Sequence, residues 1–511
     1  MKRSRTLLFN TILLTTASLL LRAVGVSFQV YLSERIGAAG MGLFGLISSA
    51  NMLAITVATS GVRFATTRLV SEEMGLNRPA GAARAVRHCL GYALFFGTLA
   101  ALGLFFGAGV IGNVWIGDSR TVLSLRILAV ALPFLSMSAV FGGYFTAVQR
   151  VAKSTAVGVT ENLLRIGVVV GILILYAPSG LEAACAAIVV GDVISEIVSF
   201  LLLFLLYSLE RRRKHQGLTE GTNMSRRMLG IALPLAASAY ARSALSTLEH
   251  MLVPRGLRKS GASGQSALES YGVIHGMVFP IITFPSSLFY SLGELIVPEL
   301  TEAQVAGHTE RIRRLVNRTL RLSLFLSIGA AGIFFFYGGE LGRIIYKTVD
   351  TGGYIQLFSL LLPVLFLDAI TDGMLKGLGQ QLYSMSVNIA DSLISVVLVY
   401  TLLPMYAVKA YIGIVYFTEC FNFFLSIRRI AALTTLDVRL RDILRSILAI
   451  IGAANMAMLL LRLAGLPLRP SPLPVVLHIA VSGLFYFLLL QLLSCVTKQD
   501  IIWAKGVFSA K

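Results

Sequence analysis

Apolar stretches long enough to cross a bilayer follow one another along the whole of this 511-residue chain. A crossing helix uses about 20 mostly apolar residues. Runs bounded by charge, glycine or proline give fourteen expected spans: 7–33, 42–69, 88–113, 121–148, 155–177, 181–207, 227–253, 271–297, 319–345, 354–379, 384–405, 407–430, 442–464 and 472–496. Composition agrees. Hydrophobic residues make up 56% of the chain and charged residues 14%, against roughly 25% charged in a soluble domain. The expected fold class is an all-α polytopic membrane protein. Disorder, a disulfide scaffold, a secreted enzyme and a single-anchor protein are excluded as primary readings.

The N-terminus, MKRSR followed by an apolar run, mimics a signal peptide. The run continues through Arg22 to Tyr31, longer than a signal core, and no small-residue cleavage site follows, so it reads as a retained first helix. Lys and Arg total 44 against 25 Asp and Glu, a formal charge of +19. In a soluble protein that excess would point to nucleic acid. In a polytopic protein it marks the cytoplasmic loops, so no nucleic-acid partner is expected. Placing the N-terminus inside puts most of the basic residues inside. An even number of spans then puts both termini in the cytoplasm of a multi-pass plasma-membrane protein. The four cysteines, Cys89, Cys185, Cys420 and Cys495, have neither zinc-ligand nor CxxC spacing.

The run Arg211, Arg212, Arg213, Lys214 lies midway along the chain and invites a search for a repeat, common in transporters. At an offset of 230, Pro133 matches Pro363, Gly143 matches Gly373, Ser154 matches Ser384 and Glu161 matches Asp391. At 227, Val70 matches Val297, Glu72 matches Glu299, Arg84 matches Arg311 and Arg87 matches Arg314. Two parallel six-helix lobes follow, at 1–207 and 227–430, joined by a basic cytoplasmic linker at 208–226. Residues 431–511 hold helices thirteen and fourteen and a cytoplasmic tail.

An ionisable residue at mid-bilayer costs about 2.5–3.5 kcal/mol on insertion scales, so it faces a cavity or a partner. Thr11, Thr15, Ser18, Arg22, Gly25, Gln29 and Ser33 step by three or four residues along one face of the first helix. The second helix carries Thr56, Thr59, Arg63 and Thr67, the seventh Ser238, Arg242, Ser246 and Glu249, and the eighth His275, Ser286 and Glu294. Arg22 and Arg63 stand among hydroxyls with no acid one turn away, the pattern of a cavity. The competing reading is pairing with acids on neighbouring helices. Asp368, Asp372 and Asp391 are candidates for ion coupling, with interhelical hydrogen bonding as the alternative. No GxxxxGK[ST], HExxH or GxSxG sequence occurs, so neither an ATPase nor another enzyme is expected, and no cofactor is implied.

The segments RAVGVSFQVYLSERIGAAGMGLFGLI, GVRFATTRLVSEE and YGVIHGMVFPIITFPSSLFYSLGELIVPELTEA resemble the stage V sporulation protein B group of polysaccharide and lipid-linked-sugar exporters. That group belongs to the multidrug/oligosaccharidyl-lipid/polysaccharide exporter superfamily, which also holds the lipid II flippase and the multidrug and toxic compound extrusion antiporters. The resemblance implies two lobes in a V, a central cavity lined by helices one, two, seven and eight, and alternating access without ATP hydrolysis. It also implies two further helices that form a groove for a lipid tail. The expected function is to flip or export an undecaprenyl-diphosphate sugar, a peptidoglycan or polysaccharide precursor, with sporulation as a setting. Arg22, Arg63 and Arg242 would hold the diphosphate. Ser18, Gln29, Thr59, Ser238, Glu249, His275 and Glu294 would line the cavity. Coupling would run through Na+, H+ or the membrane potential, and the partners are the anionic lipid-linked sugar and the bilayer. The alternative is a cation-coupled multidrug exporter of the same superfamily.

Overall fold

The computed structural model describes residues 2–76, 78–175, 180–212, 224–347, 349–437, 439–493 and 495, without the side chains of 2–20, 79, 151, 211–212, 235, 295 and 349–350. Among the described residues it is all helix. In chain order the helices are α1 (Lys2–Thr59), α2 (Val62–Gly75), α3 (Pro79–Val110), α4 (Thr121–Ala129), α5 (Leu132–Ala147), α6 (Val151–Leu175), α7 (Leu181–Arg212), α8 (Met224–Lys259), α9 (Gly264–Tyr271), α10 (Phe279–Ile282), α11 (Ser286–Val305), α12 (Thr309–Tyr346), α13 (Val349–Ser359), α14 (Leu362–Gly377), α15 (Gln381–Leu433), α16 (Leu440–Leu463) and α17 (Pro472–Leu492). Ile111–Ile116 and Gly272–Val278 are π-helical. A backbone in hydrocarbon must satisfy its own hydrogen bonds, and a helix does so within one segment.

Nine of the described helical runs are long and apolar enough to cross a membrane, or up to twelve when three bent pairs count as one span each. The sequence runs gave fourteen. The difference arises where expected spans fuse: 7–33 with 42–69 into the run through α1 and α2, and 384–405 with 407–430 into α15. Each long helix passes through a single non-helical residue, Gly37 at φ 69° and Ala407 at φ 53°. The apolar run Leu21–Gly75 has 55 residues, about 80 Å of helix against a hydrocarbon core of about 30 Å.

The chain forms two compact units. The first comprises Met1–Ala38, Ser270–Leu398 and Met405–Lys511, the second Ala39–Glu269 and Val399–Pro404. These divisions do not coincide with the lobes expected at 1–207 and 227–430, and 213–223 of the expected linker lie outside the described residues. Side-chain pairing accounts for the exchange. At the start of α8, Arg227 donates to Glu72 Oε2 at 2.5 Å and Glu73 Oε1 at 3.2 Å on α2. Thr247 donates to the Ser49 carbonyl and Thr56 to Ser243. In the other unit, Lys347 pairs with Glu34 at 2.8 Å.

The offset of 230 recurs inside each unit. In the second, α5 begins at Leu132 after a 46° bend from α4; in the first, α14 begins at Leu362 after a 53° bend from α13. Pro133 and Pro363 sit in the opening turns, where the missing N–H costs no hydrogen bond. Gly143 lets α5 approach α2, and a Cβ there would lie 2.6 Å from the Arg63 carbonyl oxygen. Gly373 lets α14 approach α11, and its Cβ would lie 2.7 Å from that of Gly293. Both pairs of positions differ by 230.

In the first unit α16 and α17 pack on α12. The Tyr486 hydroxyl donates to the Phe325 carbonyl at 2.7 Å, and the Tyr337 and Ser482 hydroxyls are 2.7 Å apart. Gly329 lies beneath Tyr486 and Gly332 beneath Ile450, so the helices meet closely. Beyond Cys495, the expected cytoplasmic tail lies outside the described residues.

Candidate functional site

Proline opens the first part of the site. Pro285 cannot donate a backbone hydrogen bond, and between α10 and α11 the chain bends by 59°. At this bend the Thr283 carbonyl accepts from the Ser286 N–H at 2.9 Å and also from a guanidinium of α1. Arg22 Nη2 donates to the Thr283 carbonyl at 2.7 Å and to Ser286 Oγ at 2.8 Å. Both partners are neutral. Among the described residues no carboxylate lies within 4.0 Å of Arg22, so its charge is solvated by dipoles rather than cancelled. Ser286 was legible in the sequence as a polar residue of the eighth helix. The Thr283 carbonyl was not, because a backbone acceptor carries no residue-type signal.

Tyr290, one turn beyond Ser286 on α11, is within electrostatic reach of Arg22, Asp368, Asp372 and Glu419. It links the arginine to a polar cluster among α14 and the two parts of α15. Asp372 pairs with Lys376 at 2.6 Å and accepts from Ser384. Asp368 lies beside Asp372, Asp391 and Ser426, and its Oδ1 is buried with no hydrogen-bond partner among the described residues. Asn422 donates to Asn388 Oδ1 at 3.0 Å. The three coupling candidates therefore converge in space. Among the described residues, no three His, Cys, Asp or Glu side chains are arranged to hold a metal ion.

The second unit carries a counterpart. Moving by 230 from Asp368, Asp391, Asn422 and Ser426 gives Ser138, Glu161, Asp192 and Glu196. Glu196 lies beside Ser138, Glu161 and Asp192, so the acid and hydroxyl of the Asp368–Ser426 pair have changed places. Arg165 bonds Asn162 Oδ1 at 3.1 Å and reaches Asp192 at 3.8 Å across helices. The repeat offset, carried forward from Asp192 and Glu196, would have found Asn422 and Ser426.

The other expected residues are distributed between the units. Arg22, Gln29, His275 and Glu294 belong to the first, and Thr59, Arg63, Ser238, Arg242 and Glu249 to the second. The side chain of Ser18 lies outside the described residues. Gln29 is half-buried and Glu294 exposed. Arg63 and Arg242 are exposed, and Arg63 lies over Gly142. Thr59 turns back to the Ile55 carbonyl. His275 lies in the π-helical turn, hydrogen-bonded to Tyr411 and stacked on Phe279 with centroids 5.4 Å apart. It is an aromatic packing residue as much as a polar one. A further break, at Ser60–Gly61, has positive φ at both residues. It is held by Tyr240 on α8 and by Tyr92, which donates to the Ser60 carbonyl at 3.2 Å.

Comparison with known proteins agrees with this architecture. Residues 7–288 match the family described as "Polysaccharide biosynthesis protein". The chain is 26% identical over 365 residues to Stage V sporulation protein B of Bacillus subtilis (strain 168), covering 70% of each chain. It is 22% identical over 433 residues to Lipid II flippase MurJ of the same organism, covering 77% of each. Among solved structures, the lipid II flippase MurJ in an inward closed conformation superposes with a TM-score of 0.70 at 13% identity, covering 96% of this chain and 100% of that one. An inward-facing multidrug resistance MATE family transporter of the MOP superfamily gives 0.62 at 13% identity, covering 82% and 96%.

Proposed function

This chain belongs to the polysaccharide biosynthesis protein family, and from that premise we propose that it is an alternating-access transporter that flips a lipid-linked anionic saccharide across the cell membrane. The observation that carries this reading is Arg22, a permanent charge met by neutral dipoles at a broken helix. A diphosphate-linked sugar has a hydrated anionic head that hydrocarbon alone would not admit. Guanidinium forks match phosphate oxygens, and Arg63 and Arg242 add exposed cations on α2 and α8. The names of two relatives, a stage V sporulation protein and a lipid II flippase, support a lipid-linked precursor as substrate and sporulation as a setting. The excess of basic residues in the loops on one side supports a cytoplasmic location for both termini. Asp368, Asp372 and Asp391 supply the coupling site for H+ or Na+.

The test is Arg22. Charge-assisted hydrogen bonds are worth about 1.5–3 kcal/mol each, so Arg22→Ala weakens polyprenyl-diphosphate binding by about tenfold to a hundredfold. Arg22→Lys restores part of it, and Arg22→Glu abolishes complementation of a strain lacking the exporter while the protein stays in the membrane. Full activity of Arg22→Glu would refute the anionic substrate. A second reading, a cation-coupled exporter of cationic drugs, is favoured by the same carboxylate cluster. It predicts drug efflux that survives Arg22→Glu and fails in Asp368→Asn.

A further inference from the structure

The first unit holds an apolar groove of about 680 Å3, lined by α12, α14, α15 and α16 and the residue Leu360 after α13. Along α12 it runs from Leu320 to Phe336, and along α16 from Ile443 to Asn455. At 1.5 Å per residue these are about 24 Å and 18 Å, shorter than a hydrocarbon core about 30 Å thick. No residue of α1, α10, α11 or α17 lines it. It is therefore neither a groove built by both of the last two helices nor part of the Arg22 site. Helix α14 packs against both α11 and α12, which also touch each other.

One end of the groove is basic. On α12, Arg313 lies seven residues before Leu320 and so on the same helical face; Arg439 lies four residues before Ile443. Asn317, one turn before Leu320, ties this end together: its amide donates to the Thr435 carbonyl at 2.8 Å and its Oδ1 accepts from Asp437 N at 2.6 Å. Each arginine has only a loose acidic neighbour. Arg313 reaches Glu310 at 3.7 Å with side chains 47% and 72% exposed, and Arg439 reaches Asp437 at 3.4 Å with 61% and 58% exposed. Pairs this exposed contribute little, so a phosphate can take the acids' place.

We infer that this groove holds one acyl chain of an anionic membrane glycerophospholipid, with its phosphate between Arg313 and Arg439. The charge at the mouth selects an anionic head, and the apolar lining suits its chain. The inference does not rest on the transport reading.

The experiment is native mass spectrometry of the full chain released from detergent, titrated with phosphatidylglycerol or phosphatidylcholine. Phosphatidylglycerol should bind tightly and phosphatidylcholine weakly. Arg313→Gln with Arg439→Gln, both surface changes, should weaken phosphatidylglycerol binding at least tenfold. So should Ile447→Trp, which fills the groove, while Arg22→Gln should leave binding unchanged. Equal binding of the two lipids, or phosphatidylglycerol binding indifferent to both the mouth and the groove variants, overturns the proposal. So does an Ile447→Trp protein that keeps phosphatidylglycerol but loses a polyprenyl diphosphate, which would give the groove to the carrier's tail.

Discussion

Two adjacent glycines in α5 should respond to alanine with opposite signs. Gly142 and Gly143 both lie in the helix interior, where replacing glycine by alanine gains about 0.5–1 kcal/mol from backbone entropy. At Gly142 the new Cβ would meet only the flexible Arg63 side chain, at 3.8 Å, an ordinary contact. That substitution should stabilise. At Gly143 the Cβ would lie 2.6 Å from the Arg63 carbonyl oxygen and 3.0 Å from Thr66 Cβ. Reaching an ordinary separation requires α2 to retreat by roughly 0.8 Å, and overpacking of this kind costs about 1–3 kcal/mol. The net for Gly143→Ala is a loss of about 0.5–2 kcal/mol, with Arg63 displaced. Gly373→Ala should cost more, because the Gly293 O, Cα and C atoms all lie within 2.9 Å of its Cβ. Thermal unfolding of the purified variants in detergent reads the signs. Equal behaviour of Gly142→Ala and Gly143→Ala would refute the close approach of α2 and α5, and with it the repeat geometry built on it.

Arg227→Ala should destabilise the second unit by about 3 kcal/mol, because Glu73, only 4% exposed, is left as a buried carboxylate without its cation; the double variant with Glu73→Gln should recover most of the loss, and thermal midpoints that do not recover would show that Arg227 acts elsewhere. In the 117–120 turn, burial works against the Asp118 charge, but hydrogen bonds from the Arg120 side chain and backbone outweigh it and hold the carboxyl below the usual carboxylate range. A carboxyl depressed in the folded state stabilises above its unfolded pKa of about 3.9 and loses that contribution as pH falls through the folded value. Asp118→Asn should therefore cost about 1 kcal/mol near neutral pH and nothing once the Asp118 carboxyl is protonated in both the folded and the unfolded state, as pH-dependent thermal unfolding would show; a constant difference across pH would contradict the pairing. Asp368→Asn should remove the dependence of transport on a proton or sodium gradient in proteoliposomes while leaving substrate binding intact, and coupling that survives both Asp368→Asn and Asp372→Asn would dismiss the cluster as a coupling site.

The sequence by itself determined that this chain is a helical membrane protein, because apolar runs of bilayer length allow the backbone little else. It also determined the internal repeat, since Pro133 with Pro363 and Gly143 with Gly373 fix a bend and a close approach through backbone chemistry that only those residue types supply. It singled out Arg22, Arg63, Arg242 and the three aspartates by their cost in hydrocarbon. Tertiary structure decided what those residues meet. The acceptor for Arg22 is the Thr283 carbonyl, and every residue has a carbonyl. Arg165 reaches Asp192 on a neighbouring helix. The first stretch of α1 packs into the unit built from the chain's second half, and α8 into the unit built from its first. Hydropathy periodicity says which face of a helix is buried, but not against which helix. That choice rests on pairs such as Arg227 with Glu72 and Glu73, whose members lie more than 150 positions apart and meet only once the helices have packed.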